Sequence, residues 1–252
     1  MSNPAASPAK TLLITGASSG IGRATALRAA ADGWWVIACG RNRERLDALA
    51  AEAANIETLT FDVSDREACS LALAGLAPDV VLLNAGSCEY VDIDAWDPAL
   101  FHRVFDANFF SVVNCVEVLL PELKPGAQLV IVDSLARLLP FTRSEAYGAS
   151  KAALHYLTRC LEVDLKDRGI AVQSVSPGFV RTPLTDRNEF AMPMRVEPED
   201  AARAILRSVV RGERSGYFPR LFAGVIRALA LLPSRLQVAL CQRLARSAEV
   251  AS

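Results

Sequence analysis

Along this chain, short apolar runs alternate with longer stretches in which apolar residues return at helical spacing. The runs Thr11–Thr15, Trp34–Cys39, Glu57–Phe61, Asp79–Leu83, Gln128–Val132 and Ala171–Val175 predict strands. Between them the spacing predicts helices over Ile21–Asp32, Arg43–Ala54, Asp65–Leu76, Pro98–Leu120 and Ser144–Arg168. Apolar strands of this kind belong to a sheet covered on both faces, and strand–helix alternation builds βαβ units. The expectation is the α/β class, a doubly wound parallel sheet in a single domain with right-handed crossovers. No internal repeat or linker marks a second domain.

After residue 215 the rhythm changes. Gly216–Phe218 predicts a last strand, and Leu221, Phe222, Val225, Ile226 and Leu229 then repeat at helical spacing until Pro233 and Ser234 break the pattern. From Arg214 to Ala248 there are six arginines and no acid. This reads as one or two basic amphipathic helices, with packing on the domain or a partner subunit favoured and peripheral membrane contact as the rival. The expected division is a flexible tail over 1–9, an α/β domain over 10–215, and a last strand with helices over 216–252.

Composition narrows the class. A chain of 252 residues that is 52% hydrophobic and 22% charged can bury a large core. Its 27 basic and 28 acidic residues leave no field for nucleic acid. No uncharged apolar stretch reaches the roughly 18 residues of a membrane span, and Met1 to Lys10 carry no apolar signal region, so a soluble cytoplasmic protein is expected. Cys39, Cys69, Cys88, Cys115, Cys160 and Cys241 show no CxxC pair and no metal-ligand spacing, and read as reduced, buried thiols. His102 and His155 lie on predicted helices without a carboxylate or cysteine at ligand spacing, and both read as structural, with no metal expected.

Three local patterns carry chemistry. The first strand runs into TGASSGIG, where Gly16, Gly20 and Gly22 give the turn conformations closed to other residues and keep side chains away from a pyrophosphate. The following helix presents free N–H groups and a positive dipole end to that anion. By itself such a turn also serves as a plain strand-to-helix connection. At the end of the second strand, VIACGRNRERL places Gly40 and Arg41 where an acidic residue would bind both adenosine-ribose hydroxyls of NAD. A guanidinium instead suits a 2′-phosphate, so NADP(H) is expected over NAD(H), with Arg41 as ligand and Asn42 and Arg45 as helpers. The other reading of these arginines is the solvated start of a helix. In AYGASKAAL, Tyr147 and Lys151 stand at i and i+4, one turn apart on one helix face, where an ammonium would lower the phenol pKa.

Taken in order, TGxxxGxG, the Asn84-Ala85-Gly86 segment, Ser134, YxxxK and Pro177-Gly178 resemble the single-domain branch of the short-chain dehydrogenase/reductase family, over residues 11 to about 182. The resemblance implies a Rossmann-like fold whose cofactor is held by Gly16, Ser18, Ser19, Gly20, Ile21, Gly22, Arg41, Asp62, Val63, Asn84, Ala85 and Gly86. Tyr147, Lys151, Pro177, Gly178, Val180 and Thr182 would meet its nicotinamide half. It implies Tyr147 as general acid/base, Ser134 on the substrate oxygen, Lys151 on the nicotinamide ribose, and Asn108 holding a water that links Lys151 to solvent. The implied reaction moves a hydride between NADP(H) and a carbonyl or secondary alcohol. The alternative is a catalytically silent NADP(H)-binding sensor or scaffold. A homodimer or homotetramer through the two long helices is also implied.

The chain departs from the family at Arg137 and Arg143, where many relatives carry small residues; one reading sets either arginine at the pocket mouth to meet an anionic group, and the favoured one has both facing solvent. Leu184 to Pro198, with Phe190, Met192 and Met194, is the expected substrate lid.

Overall fold

The computed structural model describes residues 9–188 and 192–249. Seven parallel strands form one sheet in the order β3-β2-β1-β4-β5-β6-β7. They are β1 (Thr11–Thr15), β2 (Trp35–Gly40), β3 (Ile56–Thr60), β4 (Val80–Leu83), β5 (Gln128–Val132), β6 (Ala171–Pro177) and β7 (Ser215–Phe218). This is the expected Rossmann-like, doubly wound sheet, and the strand order reverses between β1 and β4. Ligands bind at the carboxyl ends of strands beside such a switch point.

The period-2 pattern sorts the core into two layers. On one face Leu12, Ile14, Val36, Ala38, Val130 and Val132 meet α1 (Gly20–Ala31), α2 (Arg43–Ala50) and α7 (Pro198–Arg211). On the other, Leu13, Ile37, Val81, Leu83, Leu129 and Ile131 meet α3 (Arg66–Leu73), α5 (Ser111–Leu119) and α6 (Glu145–Asp164). The register sets Ile14 of β1 between Ala38 and Leu82, and Leu82 beside Val130, so one apolar row spans the four central strands.

Several elements differ from the sequence expectation. The stretch 98–120 runs as α4 (Pro98–Phe105), a π-helical turn (Asp106–Phe110) and α5, and Asn108 sits in the π turn. Such insertions concentrate at functional sites. β6 continues through Pro177 because its last partner on β5 is Val175, opposite Val132. Pro177 pairs only with Phe218 of β7, and Gly178 N–H then donates to the Phe218 carbonyl at 2.7 Å. Helix α7 was not anticipated at all. Pro198 opens it, Glu199 and Asp200 occupy its first turn, and Gly212 closes it at φ +62°. It packs along α1, whose buried face is mostly alanine and admits a close approach.

The carboxy-terminal segment folds as α8 (Arg220–Leu229) and α9 (Ser234–Glu249). Ala223 and Ile226 of α8 and Cys241 of α9 pack with Leu135 and Leu139, the residues just after Ser134. Packing on the domain is therefore real, but it uses one face only. No described helix is long and apolar enough to cross a membrane. All six cysteines are free; Cys39, Cys69, Cys115 and Cys241 are buried, whereas Cys88 is half-buried and Cys160 exposed, contrary to the expectation of six buried thiols. Cys160 is exposed because it lies on the outer side of α6.

Candidate active site

The switch point opens into a cleft of about 410 Å³. Every residue expected to hold the cofactor or to catalyse lines it, except Gly22. A Cβ on Gly22 would stand 2.2 Å from the Gly16 carbonyl oxygen and 2.8 Å from Asn84 Nδ2, so its bare Cα lets α1 sit directly on the turn. Its bare Cα serves the packing of the turn that cradles the site. Gly16, at φ +71°, lies so close to the next strand that a Cβ would be 2.9 Å from Ala85 Cα. Thr15 fastens the same junction, its hydroxyl oxygen accepting from the N–H groups of Asn84 and Ala85 at 3.0 and 3.1 Å. The floor is thus bare backbone at the amino end of a helix, a cradle that fits a pyrophosphate.

At the adenosine end, Gly40, Arg41, Asn42 and Arg45 line the cleft together with Ser18. Asn42 caps α2, its side chain accepting from Arg45 N–H at 2.9 Å. Arg41 is 75% exposed and donates to Asp62 Oδ2 at 3.3 Å. Burial alone would raise the Asp62 carboxyl, but hydrogen bonds from Ser64 and the Arg41 guanidinium outweigh it and hold the group below the ordinary aspartate value.

At the other end, Ser134, Tyr147 and Lys151 converge on one wall of the cleft, where the Ser134 hydroxyl accepts from Ala136 N–H at 3.1 Å. Burial pushes the Tyr147 phenol well up, and neighbouring Cys88 and Asp133 add to that against the Ser134 hydroxyl. This is opposite to the sequence expectation of a lowered phenol. Lys151 Nζ lies 5.9 Å from the Tyr147 ring centroid and donates to the Val132 carbonyl at 2.9 Å, and desolvation dominates. The same desolvation lowers Lys151 to about 8, against the opposing pull of Asp133 and Cys88. Asn108 is buried, with Nδ2 donating to Ser87 O and Ser150 Oγ at 3.0 Å each, and Oδ1 accepting from Ser87 N–H at 2.7 Å. Its side chain therefore braces the strand-end loop against α6. Gly86 permits this approach, since a Cβ there would be 2.7 Å from Asn108 Oδ1.

Beside the catalytic group lies a cluster that sequence reading missed. The Asp133 side chain is fully enclosed, and it accepts from Arg137 Nε at 2.9 Å, from His155 Nδ1 at 2.7 Å and from the Ser176 hydroxyl. Arg137 was expected in solvent, but its side chain is 9% exposed because the short 3-10 turn Leu135–Arg137 swings it back over Asp133. His155 does have a carboxylate partner, brought in by α6 from a distant part of the chain. Arg143 is exposed, as expected, with its guanidinium 5.7 Å from the Tyr90 ring centroid. His102 is exposed on α4.

The expected lid is anchored at its base by a parallel bridge between Val180 and Val196. Tyr90 hydroxyl donates to Asn188 Oδ1 at 2.7 Å, joining the loop after β4 to the lid. Phe190 lies outside the described residues. Behind Gly178, Phe222 of α8 packs on Phe179 with ring centroids 5.6 Å apart, and it would block any Cβ at Gly178.

A family profile described as short chain dehydrogenase matches residues 10–191. The chain belongs to the short-chain dehydrogenase/reductase family. An uncharacterized oxidoreductase of Myxococcus xanthus is 33% identical over 246 residues, covering 93% of this chain and 97% of its own, an extent that reaches into the carboxy-terminal helices. Serine 3-dehydrogenase of Rhizobium radiobacter is 37% identical over 188 residues, 69% of this chain and 74% of its own. Among solved structures, a short-chain dehydrogenase from Sphingobium yanoikuyae in complex with NADPH superposes with a TM-score of 0.77 at 28% identity, covering 87% of this chain and 92% of its own. As a member of this family the protein is an oxidoreductase acting between CH–OH and C=O groups, and its fold binds a nicotinamide cofactor.

Proposed function

We propose that this short-chain dehydrogenase/reductase is NADP(H)-dependent and interconverts a carbonyl and a secondary alcohol, with Tyr147 as the general acid/base. The observation that carries this is the convergence of Ser134, Tyr147 and Lys151 on one end of the cleft, with Lys151 one helical turn on from Tyr147 and the bare-backbone cradle at the other end. When bound, the nicotinamide supplies or accepts the hydride. Tyr147 hands its proton to the carbonyl oxygen, while Ser134 hydrogen-bonds that oxygen as negative charge develops. Lys151 orients the nicotinamide ribose, and Asn108 keeps the Ser87 loop and α6 in register. The adenosine end supports NADP(H), because no acid stands beside Gly40 and Arg41 is exposed enough to turn onto a 2′-phosphate.

The same reading makes the protein a cytoplasmic homo-oligomer that takes a small-molecule substrate. Phe110 and Val113 on the first long helical stretch and Tyr156 and Val163 on α6 are exposed apolar side chains that a second copy would cover. The test is Tyr147→Phe. NADPH binding is expected to persist while turnover falls by about two to four powers of ten, the range of general acid catalysis. Unchanged turnover would remove Tyr147 from the reaction.

A further inference from the structure

The helical hairpin α8–α9 carries a second apolar surface that its packing on the domain leaves open. Phe222, Ala223 and Ile226 face inward. Leu221 and Val225 of α8 are exposed, Leu231 at the turn is 87% exposed, and Leu232, with Leu236 and Leu244 of α9, is exposed as well. The hairpin itself is fixed, because Gln237 Nε2 donates to the carbonyls of Ala230 and Leu232 at 3.0 and 2.8 Å. These leucines are thus part of an ordered surface, and a cluster of exposed large apolar side chains on one hairpin marks a candidate interaction site.

Charge decides what fits it. From Ser215 to Ala248 the chain has five arginines and no acidic residue, within a protein of net charge −1. Arg220, Arg235 and Arg246 are exposed. A second copy on this face would set arginines against arginines with no carboxylate between them. The two long helical stretches already offer a second copy an apolar face whose charges are of both signs, as proposed above. Exposed leucines flanked by arginines are instead the composition of a helix lying in a membrane interface. There the leucines enter the acyl boundary and the guanidinium groups meet anionic headgroups.

We propose that the outer face of α8–α9 docks on an anionic lipid bilayer, holding the enzyme peripherally. The inner face of α8 is the wall beside Gly178 and Phe179, so the bilayer contact lies one helix thickness from the cleft.

The experiment is flotation of the full-length protein with vesicles of phosphatidylcholine, or of phosphatidylcholine and phosphatidylglycerol in equal parts. Binding is expected only to the anionic vesicles, weakening as salt rises. Arg235→Gln should lower the vesicle partition constant, read from a lipid titration, about fivefold, the effect of one arginine near an anionic surface. Leu231→Glu should abolish binding. Both side chains are exposed, so unfolding temperature, NADPH binding and oligomeric mass should be unchanged in both variants. Equal binding to neutral vesicles, no binding to either, or a fall in oligomeric mass in Leu231→Glu would overturn the proposal, the last by assigning the face to a second copy. No step requires turnover, so failure here is separate from failure of the Tyr147 assignment.

Discussion

Replacing Arg137 by methionine removes the charge that faces the fully enclosed Asp133 carboxylate while keeping most of the side-chain stem. The pair is an N–O contact of 2.9 Å with 9% and 0% of the two side chains exposed, so water cannot take over the lost hydrogen bond. Breaking a buried pair by removing one partner typically costs about 3–5 kcal/mol. Asp133 keeps His155 Nδ1 at 2.7 Å and the Ser176 hydroxyl, which places the expected loss near the lower end, about 3 kcal/mol. Arg103→Met is the matched control, because Arg103 pairs with Glu89 and Asp97 at half-exposed sites and such pairs contribute about 0–1 kcal/mol.

Urea unfolding of the three proteins, extrapolated to water with the slopes compared, gives both numbers. A difference of about 2 kcal/mol or more between the two variants supports the cluster as a structural anchor behind Ser134. If Arg137→Met costs no more than Arg103→Met, the burial argument fails and the Asp133 carboxylate must be finding water in solution.

Arg41→Ala should raise the NADPH dissociation constant roughly tenfold to a hundredfold, the worth of a charge-assisted contact, and leave NADH unchanged; fluorescence titration with both cofactors checks this, and equal losses would refute the 2′-phosphate assignment. The folded pKa of Lys151, about 8, lies below its ordinary 10.5, so between those values the unfolded chain binds more protons at this site and its contribution to stability rises with pH. The difference in stability between the wild type and Lys151→Met should therefore grow by about 1 kcal/mol between pH 8 and 9; absolute stability does not report it, because the thiols of Cys39, Cys88, Cys115 and Cys241, all raised by burial or a neighbouring thiol, work in the opposite direction in both proteins. Gly22→Ala should destabilise by about 1–3 kcal/mol, because its Cβ would overlap the Gly16 carbonyl, whereas Gly224→Ala in α8, with open space at the Cβ, should be neutral or slightly stabilising. Thermal unfolding of the two variants side by side separates them, and similar shifts would discredit the close-approach argument.

What could be read from the sequence was what lies local in it. Gly16, Gly20, Tyr147 and Lys151 are legible because a turn and a single helical turn fix their neighbours within a few residues. Asp133, Arg137, His155 and Ser176 are not, since β5, α6 and β6 meet only when the sheet forms. Helix α7 was within reach, as Pro198, the acids after it and Gly212 are ordinary start and stop signals. The sign of the Tyr147 shift required the structure, because burial opposes the effect of a nearby ammonium and its extent does not show in YxxxK.

The same cluster bears on how the carboxy-terminal helices can be tested. Arg137 also donates to the Tyr217 hydroxyl at 3.4 Å, and Arg227 of α8 lies 4.5 Å from the Tyr217 ring centroid. Leu135 and Leu139 are covered by α8 and α9, and Phe222 packs behind Gly178 at the cleft edge. Deleting everything after Gly216 would therefore remove Tyr217 from the Arg137 side chain and open the segment that carries Ser134. A truncated protein that lost both vesicle binding and turnover would say nothing about a membrane. The outer and inner faces of α8 are separable only by point substitution, and Leu231, outside all of these contacts, is where the surface can be changed while the site stays intact.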